Sequence, residues 1–373
     1  MLSLLGLALT VQAQVSIPVW TLTPTPSLTI QDDGTPATQF ESIMGVGRLS
    51  NGGMVIANRG GTNDVRIFDA RGRHLATFGR TGEGPGEFRR IDWMGQYGDT
   101  AWIYDSGLQR MTAVLLSGKP ELLGTTRITA TGNRERFSVM GRLPDGRFVV
   151  TTNVSPTFEG PPGVHRLPGS TGIIARTGDG NVTWLGDFKS AAIFVHNPTG
   201  ETKNASTGPI AFPPWLRSAT SGGQVWIGDS GGDSLVVVRG QDLSRFTVRL
   251  PLPSRAPSRE LINAARDREL GGKPAPVGSF SEAKWSPKYL PDRLPFFEGL
   301  TPGPQGEVWV SAYAGDRANP TYYIVLDASG RPRGRVNVPG GSRIRATGPN
   351  YVVVAHEDGD GVETIRIHGL VRR

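Results

Sequence analysis

At 373 residues the chain exceeds the usual single-domain length of about 100 to 200, so it holds either two domains or one large all-β or barrel domain. Its net charge of +7 is carried mostly by arginines that are scattered and mixed with acids, which argues against the basic stripe or patch of a nucleic-acid-binding protein. There are no cysteines, which excludes disulfides, thiol catalysis and cysteine-ligated metals.

The first segment, Met1 to Val11, is apolar and small and runs into Val11-Gln12-Ala13, a small-residue cleavage pattern ahead of Gln14. Residues 1–13 thus read as the end of a secretory signal without its basic start, and an exported protein, periplasmic or extracellular, is expected. No later stretch approaches the ~20 apolar residues that cross a bilayer as a helix, so the mature chain is expected to carry no transmembrane segment.

From there the chain repeats. Ile43 to Leu49, the turn Ser50-Asn51-Gly52-Gly53, Met54 to Asn58, Val65 to Phe68, the turn Asp69-Ala70-Arg71-Gly72 and Arg73 to Phe78 spell four strands. That is the size of one propeller blade. A second copy runs through Ile91, Trp102 to Asp105, and Met111 to Leu116. A third has Phe137 to Leu143, Phe148 to Thr152, Gly172 to Arg176 and Val182 to Phe188, and a fourth runs from Leu216 through Val225 to Asp229 and on to Leu250. The fifth spans Phe296 to Val338, and the sixth, Arg343 to His368, is one strand short.

The missing strand has a counterpart near the start. Leu28 to Phe40 matches Ala76 to Phe88 at a constant offset of 48 residues, with Thr29 on Thr77, Gly34 on Gly82 and Phe40 on Phe88. The second segment is an outermost strand plus the link to the next blade, so the first is expected to complete the last blade and remove exposed sheet edges. The expectation is an all-β, six-bladed propeller in one domain over residues 14–373, a monomer, whose last blade is closed by an N-terminal strand. Pro/Gly-rich loop insertions are expected at about 153–170 and 189–214, and a third insertion at about 252–294 with one short helix over Pro257 to Leu270.

The stretch Ile67-Phe68-Asp69-Ala70-Arg71-Gly72 followed by Phe78 to Phe88 resembles the blade junction of NHL-type bacterial propellers. So does Leu294-Pro295-Phe296-Phe297 leading to Gly306-Glu307-Val308-Trp309-Val310. The resemblance covers about residues 28 to 370 and implies a fold without an assigned activity.

Candidate functional residues end the second strand of each blade. Asn58, Asp105, Asp229 and His356 are equivalent, with Asn153 one residue beyond in the third blade and Tyr313 in the fifth. In a closed ring they converge on one face, a candidate ligand-binding face. Calcium takes carboxylate and amide oxygens, and gluconolactonase-like propellers use such residues, so Asp105, Asn153, Asp229 and Glu298 form the alternative metal set; Glu41 is another candidate glutamate. The competing explanation is that Asp and Asn at strand ends bond to turn amides, as Asp105-Ser106-Gly107 and Asp229-Ser230-Gly231 suggest. Trp102, Trp226 and Trp309 recur as inter-blade packing, whereas Trp184, Trp215 and Trp285 beside the insertions are free to face a ligand.

No His-x-x-x-His pair or Gly-Lys-Ser/Thr phosphate loop is present, and no triad can be argued. The leading expectation is therefore a non-catalytic exported propeller that binds a protein, peptide or glycan through this face and needs no cofactor. The alternative is a calcium-dependent hydrolase or lactonase at the mouth of the central channel.

Overall fold

The computed structural model describes residues 16–129, 137–153, 161–175, 180–197, 205–359 and 361–372; the signal-like segment 1–13 lies outside them. Two short strands, β1 (Val19–Leu22) and β2 (Leu28–Ile30), come first. The first four-stranded antiparallel sheet holds β3 (Ile43–Arg48), β4 (Met54–Asn58), β5 (Asp64–Phe68) and β6 (His74–Phe78) in sequence order. The second holds β7 (Ile91–Tyr97), β8 (Thr100–Asp105), β9 (Arg110–Leu115) and β10 (Glu121–Arg127). Burial follows position in the sheet: β4 and β5 are buried at every residue, whereas β6 alternates between exposed and half-buried. The two middle strands are covered on both faces, which is why they read as near-continuous apolar runs.

The third sheet is larger, with β11 (Ser138–Arg142), β12 (Phe148–Asn153), β13 (Gly163–Ile174), β14 (Val182–His196) and β15 (Ser206–Pro209). Here two expected loops are corrected. From 163 to 170 and from 189 to 196 the chain continues as strand, with Gly163 opposite Val195 and Gly169 opposite Phe188, and residues 206–209 add a further strand. The result is a hairpin arm longer than a blade. Pro168 hid it: a proline donates nothing to the ladder, and the register shifts between Arg166 and Pro168.

The fourth sheet is β16 (Leu216–Ser221), β17 (Gln224–Asp229), β18 (Ser234–Arg239) and β19 (Arg245–Arg249). The insertion after it holds α1 (Arg259–Leu270), capped by the Ser258 hydroxyl accepting from the Leu261 N–H and ended by left-handed Gly271. It also holds a second helix, α2 (Phe280–Lys284), where one helix was expected. Its signal was present: Ser279 caps the Glu282 N–H in the serine-x-x-glutamate spacing that opens helices.

The chain then forms β20 (Phe297–Pro302), β21 (Val308–Ala312), β22 (Thr321–Leu326) and β23 (Pro332–Val338), and ends with β24 (Ser342–Thr347), β25 (Tyr351–Glu357) and β26 (Glu363–Val371). The short last unit is completed by β2, whose Leu28, Thr29 and Ile30 lie antiparallel to Ile367, Arg366 and Ile365. Unforeseen is β1, which runs parallel to β23 and antiparallel to β26 and joins the last two units into one nine-stranded sheet. Its Trp20 lies 6.3 Å from Trp309 and covers Gly334, where a Cβ would stand 2.4 Å from the indole.

The sheets follow one another in a propeller-like arrangement. The first strands neighbour each other in a cycle, β3 beside β7, β7 beside β11, β11 beside β16, β16 beside β20, β20 beside β24, and β24 back beside β3. Separate apolar clusters fill the gaps: Val55 and Ile67 with Met94 and Ile103, Tyr104 and Met111 with Val139 and Val150, Val149 and Ile173 with Val225 and Ile227. Trp226 and Val237 pack with Val308 and Val310, Trp309 and Val325 with Ile344 and Val352, and Val353 and Ile365 with Met54 and Ile56. Recurrent Trp226 and Trp309 are fully buried in these seams.

Candidate functional site

Asn58, Asp105, Asn153 and Asp229 close the second strand of their sheets, His356 stands one residue before the end of its strand and Tyr313 one beyond, and the first two hold backbone. The buried Asn58 amide accepts from the Glu41 N–H at 3.1 Å and donates to the Thr62 carbonyl at 3.3 Å. The buried Asp105 carboxylate accepts from three N–H groups, Arg89 at 2.6 Å, Arg90 at 3.1 Å and Leu108 at 3.0 Å. In the fourth sheet Ser230 takes the equivalent job, its hydroxyl accepting from the Trp215 N–H at 2.8 Å. In the first two sheets this position, and in the fourth the residue after it, staples the incoming link onto the sheet that follows. A short polar side chain reaches those amides and would leave them unpaired in a dry seam if it were absent.

Asp229 has a different use. One of its oxygens accepts from the Gly231 N–H at 3.0 Å and from Arg166 at 2.7 Å, which ties the hairpin arm to the fourth sheet. The His356 ring shares a hydrogen bond of 2.9 Å with Ser342 opposite it in the ladder. Asn153 ends β12, and its side chain lies outside the described residues. Glu41 accepts from the Gly61 N–H at 2.8 Å. Among the described residues no group of three or more His, Asp or Glu side chains stands close enough to hold a metal ion.

The same face carries a cleft of about 470 Å3 over the first strands β16, β20 and β24, and two of the expected residues, Tyr313 and Glu298, line it. Arg217 of β16, Arg343 and Arg345 of β24, Arg317, Asp316 and Trp215 complete its polar wall. Sequence reading singled out Trp215 and missed the arginines, because in a chain with arginines throughout nothing marks these as facing inward.

The charges are arranged unequally. Glu298 accepts from the Ala314 N–H at 3.0 Å with one oxygen and meets Arg343 at 3.3 Å with the other. Arg317 pairs with Glu357 at 2.6 Å and Arg345 with Glu363 at 3.3 Å. Asp316 accepts from the Ala318 N–H at 2.9 Å and from Arg268 of α1, which ties the insertion to the cleft wall from behind. Burial alone would raise the Asp316 carboxyl, but these hydrogen bonds and Arg268 hold it below the usual carboxylate range.

Arg217 differs. Its Nε donates to the Glu298 carbonyl at 2.7 Å, and it forms no ion pair among the described residues. Burial pushes its guanidinium below the usual range, against the pull of Glu298. Tyr313 is pushed well above the usual phenol range by burial first and Glu298 second, so it stays a protonated donor at neutral pH.

A second cleft, about 620 Å3, opens at the turns on the opposite face. Its groups are spent on one another: Arg48 lies 4.5 Å over the Tyr351 ring, Gln96 donates to the Arg48 and Gly98 carbonyls at 2.8 Å, and Asp99 accepts from Ser50 at 2.8 Å.

No protein-family model and no curated protein matches the chain. Solved structures do. A protein from Bacteroides fragilis described as exported aligns with a TM-score of 0.51 at 10% identity, over 95% of this chain and 96% of its own. A member of the DUF4221 family from Bacteroides vulgatus aligns with a TM-score of 0.53 at 10% identity, over 96% of this chain and 100% of its own. A calcium-binding regucalcin from Agrobacterium tumefaciens covers 95% of this chain and 97% of its own at 14% identity, but its TM-score of 0.43 is too low for a comparison of sites. At such identities the first two likenesses show the fold alone, and that fold is a β-rich, propeller-like one.

Proposed function

We propose that the chain is an exported six-bladed propeller, one domain closed by its N-terminal strand, which captures a peptide, protein or glycan in the cleft over β16, β20 and β24. The observation that carries the reading is Arg217: a half-buried cation at the wall of a cleft, whose terminal nitrogens have no partner among the described residues. Unspent donors in a concavity are what a binding site needs and a packed seam does not. The cycle of six first strands supports the blade count. Export rests on the apolar, small-residue start and on the described likeness to an exported protein. Among the described residues no helix is long and apolar enough to cross a membrane.

Catalysis in the same cleft, calcium-dependent lactone hydrolysis above all, is the alternative, since a bound ligand would lie beside Glu298 and the protonated Tyr313 phenol. Glycan and peptide arrays probed with the wild type, Arg343→Gln in the cleft and Gln96→Ala on the opposite face test the main reading. Ligands retained by Gln96→Ala and lost by Arg343→Gln are expected. Retention by Arg343→Gln, or no ligand at all, would overturn it. Lactone hydrolysis that needs added calcium and disappears in Glu298→Gln would establish the alternative instead.

A further inference from the structure

We infer that the cleft takes an acidic saccharide, with a uronic-acid carboxylate gripped by Arg217 and its ring laid against Trp215. The inference rests on the cleft being the ligand site and names what fills it. Trp215, just before β16, and Arg217, the second residue of that strand, both line the cleft. The Trp215 N–H is held by the Ser230 hydroxyl at 2.8 Å, and Arg217 is held through its Nε by the Glu298 carbonyl at 2.7 Å. The Trp215 backbone and the Arg217 guanidinium are thus held before a ligand arrives.

The fixed Nε leaves the two terminal nitrogens of Arg217, a fork whose spacing matches a carboxylate. Every other arginine of the cleft already meets a glutamate. One unmatched positive charge, half-buried, calls for one anionic group. Next to it, the flat apolar face of an indole suits the CH face of a pyranose ring. The Tyr313 phenol, protonated at neutral pH, makes no side-chain hydrogen bond among the described residues and can donate to a ring hydroxyl. A peptide strand would instead seek an open sheet edge or an apolar groove. This polar cleft is no apolar groove, and although β16, β20 and β24 are each the edge strand of their sheet, they stand beside one another.

Calorimetry with the whole chain would use trigalacturonate, its methyl ester and a glutamate-rich peptide of equal charge as probes. The proteins would be the wild type, Arg217→Gln and Trp215→Ala, each first checked for an unchanged melting profile. The trisaccharide should bind, and both Arg217→Gln and esterification should weaken it roughly tenfold to a hundredfold. The ester should then be indifferent to Arg217→Gln. Equal binding of acid and ester, or of wild type and Arg217→Gln, overturns the carboxylate assignment, while a loss in Trp215→Ala would still leave the cleft as the ligand site. Preference for the peptide overturns the saccharide assignment. Failure of all three probes overturns the inference, and the array result with Arg343→Gln then decides whether the cleft reading falls with it.

Discussion

At the scale of single residues, the strand-end positions show how one chemical type serves unlike ends. Asn58 and Asp105 are equivalent in the repeat and equivalent in use, each accepting from the backbone that leads into its sheet. Asp229 occupies the same place but binds the arm, and Ser230 does the stapling. The repeat made the equivalence legible; spacing says where a side chain sits, not which amides arrive there from the preceding sheet. Arg217 was illegible for a related reason, since its distinction is that it forms no ion pair among the described residues, a property of three dimensions. Asp105 gives the sharpest check. Asp105→Ala strips the acceptor from three N–H groups in a buried setting and should cost about 3 kcal/mol of stability, with Asp105→Asn milder. Urea melts measure it, and a loss under about 0.5 kcal/mol would show that the staple is dispensable.

At the scale of elements, regular blades were easy to read and the arm was not. In β4 and β5 the apolar runs and the turns Asp69 to Gly72 announce strands, and the Asp69 carboxylate accepts from the Arg71 and Arg73 N–H groups at 2.8 and 2.9 Å as such turns require. In the arm, Pro168 and several glycines mimic a loop, yet β13 and β14 pair over most of their length. Close approach of inner strands is a further feature the repeat does not explain. At Gly45 of β3 a Cβ would stand 2.6 Å from the Met94 carbonyl oxygen of β7. Valine is the better strand former, so local preference predicts that Gly45→Val is harmless or stabilising. The packing predicts the opposite, a loss of about 1 to 3 kcal/mol from overfilling, read as a lower melting temperature.

At the scale of the whole molecule, the offset of 48 residues between Leu28 to Phe40 and Ala76 to Phe88 carries more than any motif. It places residues 28–30 at the outer edge of the last unit, and there Leu28 meets Ile367 and Ile30 meets Ile365. The added clasp of β1 between β23 and β26 left no trace in the repeat, because it copies no blade strand and its key contact is Trp20 on Trp309 and Gly334. Together these contacts make the proposed ring one rigid platform, and the cleft that spans β16, β20 and β24 depends on three units holding their places. Joining the two ends is the claim on which the rest stands. Because the chain has no cysteine, Thr29→Cys with Arg366→Cys tests it without interference, since Thr29 and Arg366 face each other in the ladder. Mild oxidation of the folded double variant should give one intramolecular disulfide by mass spectrometry and a higher melting temperature, as a bond closing so long a loop should. A folded protein in which the two thiols stay free, or join only between molecules, would contradict the closure.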